Sequence, residues 1–212
     1  MRKSFPVSLI LFLILISSCS TTPPPATPRI VSVYSTPAAE PWLSPLYACA
    51  GTSTVISRVQ DSASADIVLR VGEPKVLTSS AFQIDSEDIL IVAHRQSPVQ
   101  NLTLEAARAL FAGQADPSVQ VWVYAPEVDV QEVFDRFVMA GLRVTASARL
   151  AATPQQMSDT LVSDANAVGI LPRRWKAGDD REVFKVATVP VLVLTASEPQ
   201  GEIKDLIACL QK

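Results

Sequence analysis

Hydrophobic positions along this chain fall into short β-branched runs separated by amphipathic stretches. The runs Ile30–Ser35, Thr54–Val59, Asp66–Val71, Ile89–Ala93, Val119–Tyr124, Leu142–Thr145, Ala167–Leu171 and Val189–Thr195 predict strands. Thr103 predicts the cap of a helix over Leu104–Ala112, with Glu105 in its first turn and Gly113 at its stop. Asp129 predicts the cap of a second, with Glu132 three residues on; Phe134, Phe137 and Val138 form its apolar stripe and Gly141 its end. Thr153-Pro154 opens a third, and Ile203, Leu206, Ile207 and Leu210 follow the i, i+3, i+4, i+7 spacing of a last one. Leu43, Leu46, Tyr47 and Ala50 also fit a helix, which Pro41 and Pro45 disturb. Strands alternating with helices predict an α/β protein with largely parallel sheets.

The front of the chain follows a different rule. Met1-Arg2-Lys3 precedes a largely apolar stretch through Ile16, unbroken from Leu9, and Ile16-Ser17-Ser18-Cys19 reads as a bacterial lipobox. The apolar core is about a dozen residues, short of the roughly 20 that span a bilayer. An uncleaved anchor and an ordinary signal peptide are the competing readings; a cysteine directly after the small residues favours a lipoprotein. Residues 1–18 are then the signal, Cys19 the lipidation site, and 19–28 an extended Pro/Thr-rich tether. The expected location is extracytoplasmic, on a membrane surface. The formal net charge is −3, and loss of Arg2 and Lys3 with the signal lowers it by two. An acidic surface argues against nucleic acid as a partner.

Enzyme chemistry finds little support. His94 is the only histidine, so no standard zinc site is expected, and no cofactor motif is present. No Gly-x-Ser-x-Gly elbow occurs, and the 7 glycines form no phosphate loop. After Cys19, two cysteines remain. In an oxidising space Cys49 and Cys209 form either a disulfide or two buried thiols. Trp42, Trp122 and Trp175 read as packing residues, Trp175 being the best aromatic candidate for a cleft.

The order of several short signatures carries a resemblance. They are Ser35-Thr36-Pro37 after a strand; Ala65-Asp66-Ile67-Val68; Ile89-Leu90-Ile91-Val92-Ala93; Asn101-Leu102-Thr103-Leu104-Glu105 leading to Leu110-Phe111-Ala112-Gly113; Trp122; Ala167-Val168-Gly169-Ile170-Leu171-Pro172; and Val189-Pro190-Val191-Leu192. In this order, over residues 30–212, the chain resembles the phosphate-binding-protein-like branch of the type II periplasmic solute-binding proteins. The resemblance implies two α/β lobes joined by hinge-crossing strands near 88–95 and 188–195. Lobe one would be 29–94 with 195–212, and lobe two 95–194 with its hinge strand. Cys49 and Cys209 would then share lobe one, which makes a bridge geometrically feasible. The implied function is capture of a small solute, by default an inorganic oxyanion such as phosphate, for an ATP-binding-cassette (ABC) transporter permease.

Within that frame the candidate ligand residues are Ser35, Thr36, Arg70, Asp129 and Gln131. Ser35 and Thr36 offer hydroxyls at a strand-to-helix turn, though Thr36 equally suits a cap before Pro37. Arg70 is either a cationic ligand contact or half of a salt bridge, with Asp129 or Glu127 as partner. The resembling family places a Ser-Gly-Thr loop and an Arg before the second helix. Here Val128-Asp129-Val130-Gln131 stands instead, flanked by Glu127 and Glu132. Like charges ~4 Å apart at a dielectric near 20 cost about 4 kcal/mol, half the ~8 kcal/mol of a micromolar complex. The loop therefore predicts either a different ligand or a degenerate fold serving as a non-transporting sensor or interaction module. Buried, paired acids would favour the second outcome.

Overall fold

A computed structural model describes residues 28–52 and 54–212. Cys19 and the proposed signal lie outside the described residues. The elements are β1 (Arg29–Ser35), α1 (Leu43–Ala50), β2 (Thr54–Arg58), β3 (Ile67–Val71), β4 (Ser80–Ala93), α2 (Leu104–Phe111), β5 (Gln120–Val123), α3 (Asp129–Phe134), β6 (Arg149–Leu150), α4 (Pro154–Ser163), β7 (Ala167–Pro172), β8 (Arg181–Thr195) and α5 (Gly201–Leu210).

One sheet joins the strands in the order β2-β1-β3-β8-β4-β7-β5-β6. Its two ends are parallel trios, and β4 and β8 run antiparallel through the middle from Ser80↔Thr195 to Ala93↔Arg181. β3 pairs with the Val191–Leu194 end of β8, whereas β7 pairs with the Ile89–Ala93 end of β4. The two long strands thus cross between two α/β lobes, the architecture expected for the type II fold. Their inner residues are wholly buried at Ile89–Ala93, and Phe111 meets Phe134 at 4.6 Å between ring centres. Among the described residues no helix is long and apolar enough to cross a membrane.

Two expectations are corrected. The crossing strands are much longer than their apolar cores, because Ser80–Asp88 alternates polar with half-buried Phe82 and Ile84 and reads as a loop by hydrophobicity alone. Leu142–Thr145 is not a strand. After α3 the chain widens over Asp135–Met139, ends in left-handed Ala140, and runs irregularly past α2, where the Thr145 amide donates to Phe111 O at 2.8 Å. Arg149–Leu150 takes the edge beside β5 instead.

Cys49 on α1 and Cys209 on α5 are disulfide-bonded, with Cα atoms 5.9 Å apart. The bridge ties the last helix to the first around buried Leu46, Leu206 and Ile207.

Candidate functional site

β1 delivers Thr36 to the C-terminal end of the parallel strands, where ligands sit in open α/β sheets. There the Thr36 amide donates to Leu69 O of β3 at 3.0 Å, and the short turn from Pro37 begins. From the other lobe, α3 points its first turn at the same place. Asp129 is the first residue of that helix rather than its cap; Val128 holds the cap position without a side-chain bond.

The Asp129 carboxylate is 3% exposed and fully engaged. Its Oδ2 accepts from Thr36 Oγ1 at 2.6 Å and from the Val71 amide at 2.9 Å; its Oδ1 accepts from the Val130 amide at 3.0 Å. Thr36 and Val71 belong to one side of the cleft and Asp129 and Val130 to the other. Hydroxyl and amide donors converging from two lobes are what an oxyanion requires. Here the donors exist, and the protein's own carboxylate occupies them. Burial pushes the Asp129 carboxyl up, opposed by the bonds from Thr36 and Val71, the charge of Arg70 and the Val130 amide. Close by, the Tyr124 hydroxyl is buried and has no hydrogen-bond partner among the described residues. Burial, then the Asp129 charge, holds it well above its ordinary range.

The other candidates fall around this carboxylate. Arg70 pairs with neither Asp129 nor Glu127: its Nη2 reaches Glu132 Oε2 at 2.9 Å, and its Nε donates to Gly72 O at 3.0 Å. Ser35 turns away, its hydroxyl donating to Thr36 O at 3.0 Å. Gln131 is structural within its lobe, accepting from the Tyr124 amide at 3.0 Å and donating to Asp135 Oδ1 at 2.8 Å. Glu127 is exposed at the mouth.

Further bonds pin the lobes together. Arg136 Nη2 donates to Glu73 O at 3.1 Å. On the opposite flank Trp175 Nε1 donates to Ala38 O at 3.0 Å. Arg174 pairs with Asp85 at 2.6 Å and lies 4.6 Å over the Trp42 ring, while Trp42 Nε1 donates to Asp85 Oδ2 at 3.0 Å. Trp175 is therefore a strap between lobes, not a ligand platform. Sequence reasoning missed the parts played by Glu132, Gly72 and Arg174. The signal for Arg174 was its place two residues after Pro172 at a strand end, beside Trp175.

At Gly72 the two lobes pack closely. Its φ is +76°, and a Cβ there would stand 2.8 Å from Val133 Cγ2 of α3. Gly72→Ala combines left-handed strain with a wedge in the cleft, a loss of about 1–3 kcal/mol. Urea denaturation should show the lowered midpoint. An unchanged midpoint would mean that Val133 and the lobe behind it yield freely.

No protein-family model matches the chain, and no curated protein sequence does. Solved structures do. The chain is similar to a proposed phosphate ABC transporter substrate-binding protein from Clostridium perfringens, solved with bound phosphate: TM-score 0.74, 14% identity, 86% of this chain and 93% of that one covered. An ABC-type phosphate transport receptor from Vibrio cholerae matches with TM-score 0.65 at 17% identity, again covering 86% and 93%. A variant of the OxyR2 regulatory domain from Vibrio vulnificus matches with TM-score 0.60 at 8% identity, covering 87% and 95%. At these identities the likeness shows the fold, a two-lobed type II periplasmic-binding-protein fold, and the same frame occurs in carriers and in regulatory domains.

Proposed function

We propose that this protein is a lipid-anchored, extracytoplasmic solute-binding protein that has kept the two-lobed frame and given up the inter-lobe oxyanion seat. The observation that carries this reading is the buried Asp129 carboxylate, bonded to Thr36, Val71 and Val130. A phosphate entering there must displace a carboxylate or lie against one, and the ~4 kcal/mol of repulsion removes half of a micromolar affinity. The solute is therefore something other than a bare oxyanion in that seat. The lipobox at Cys19 supports membrane anchoring, and the fold of the phosphate-transport neighbours supports an address outside the cytoplasm.

A second reading rests on the straps. Trp175 on Ala38 and Arg174 on Asp85 and Trp42 resist the hinge motion that delivery to a permease needs. They favour a sensor or interaction lipoprotein over a carrier serving an ABC permease.

Thermal-shift measurement with phosphate, sulfate and molybdate tests the filled seat. A ligand at 100 times its Kd adds about 2.7 kcal/mol, several degrees for a domain of this size. No shift is expected with any of the three. A clear shift with one of them overturns the proposal and restores oxyanion capture.

A further inference from the structure

The cleft mouth holds a second cavity, of about 540 Å3, beside the filled seat. Its origin lies in the connection from β2 to β3. Parallel strands need a crossover of a dozen or more residues, usually a helix, which then covers one sheet face. Here only residues 59–66 make the link, with the single short turn Ser62–Ser64. The face bearing Tyr34, Val68 and Arg70 is left half-buried, whereas the opposite face, with Val33, Ile67 and Leu69, is wholly covered. Tyr34 pairs with Val68, and Val68 with Leu194, so one cross-strand row floors the cavity.

The rim is polar and carries both signs of charge. Thr36, Arg70, Ser79, Glu127 and Thr195 line it. Arg70 spends Nε and Nη2 on Gly72 and Glu132, and Nη1 takes part in neither bond. Glu127 is exposed and makes no hydrogen bond or ion pair among the described residues. A bare anion meets Glu127. A bare cation meets Arg70. A neutral solute leaves Glu127 and the Arg70 Nη1 without a partner, at a cost in desolvation. A molecule with a carboxylate and an ammonium group answers both.

We propose that this cavity binds a small zwitterion of the α-amino-acid class, its carboxylate on Arg70, its ammonium on Glu127 and its side chain over Tyr34, Val68 and Leu194. The volume lies in the range of small-molecule sites, and the apolar floor with a few convergent polar groups is their usual build. This inference rests on the reading that the solute is held outside the Asp129 seat.

The test is calorimetric titration of the mature chain with each of the proteinogenic amino acids, with phosphate and putrescine as comparison probes. At least one amino acid should bind saturably. Glu127→Gln should weaken it about tenfold, the loss of one charge-assisted hydrogen bond, without altering the unfolding midpoint. Tyr34→Ala should weaken it too. Absence of binding by every amino acid, binding indifferent to Glu127→Gln, or tighter binding of putrescine overturns the zwitterion site. Phosphate binding instead would sink the filled-seat reading, which keeps the two failures apart.

Discussion

Replacing Asp129 by alanine is expected to cost about 2–4 kcal/mol and to loosen the two lobes. The substitution strands the Val71 and Val130 amides and the Thr36 hydroxyl at a buried position. Each unsatisfied buried donor costs about 1–3 kcal/mol, and release of a desolvated charge offsets part of the sum. Asp129→Asn is a sharper control. Its oxygen can keep Thr36 and Val71, but its amide then faces the Val130 amide, donor against donor, so a smaller loss of about 1–2 kcal/mol is expected. Urea midpoints measure both. The pH dependence separates charge from shape. The folded Asp129 carboxyl lies above its ordinary 3.8, so the folded state binds its proton more readily than the unfolded one. Its ionisation therefore costs stability, and the cost is relieved as pH falls through the folded value. Asp88 acts in the opposite sense. Bonds from Lys185 and Thr188, with the Lys185 charge and a bond from Arg173, hold it at about 2, so its contribution is lost as pH falls from 3.8 toward that value. Asp129→Asn should remove only the acid-side gain. A variant whose stability tracks wild type across the whole acid range would show that the carboxylate does not titrate as its surroundings dictate.

Removal of the Cys49–Cys209 bridge by serine at both positions should cost about 2–5 kcal/mol, the usual range for a native disulfide closing a long loop. The sequence separation of 160 residues puts it toward the upper end in the chain-entropy account. The loss should be local before it is global. α5 lies at the end of the chain, held by the bridge and by Leu206 and Ile207, so its amides should lose hydrogen-exchange protection first. β4 and β8, buried at the centre of the sheet, should keep theirs. Equal stability of the reduced and oxidised protein would show that packing of α5 on α1 suffices alone.

The alternation of strand and helix was legible because each lobe is built from short units with strong period signals. Thr103 and Thr153 cap their helices as their hydroxyl chemistry dictates, accepting from Ala106 N at 3.2 Å and Gln156 N at 3.1 Å. The polar halves of β4 and β8 were not legible, since Asp85 and Asp88 are stabilised in strand by Arg174, Thr188 and Lys185, distant in sequence. At the site, the sequence marked Asp129 as an anomaly in an anion-binding loop. It could not say whether that carboxylate faces an open cleft or closes it. That choice depends on a hydroxyl 93 residues away and an amide 58 residues away. The partner of Arg70 was misread for a related reason. Glu132 stands one helical turn beyond the first residue of α3, so it faces the same cleft as Asp129 and reaches Arg70 first.

The central claim is that the cleft is closed by the protein's own carboxylate, with no ligand required. Small-angle X-ray scattering of the ligand-free protein, before and after addition of phosphate, tests it most directly. The account predicts a ligand-free profile that already matches the closed two-lobed form and does not change with phosphate. A more extended ligand-free profile that contracts on phosphate addition would contradict it.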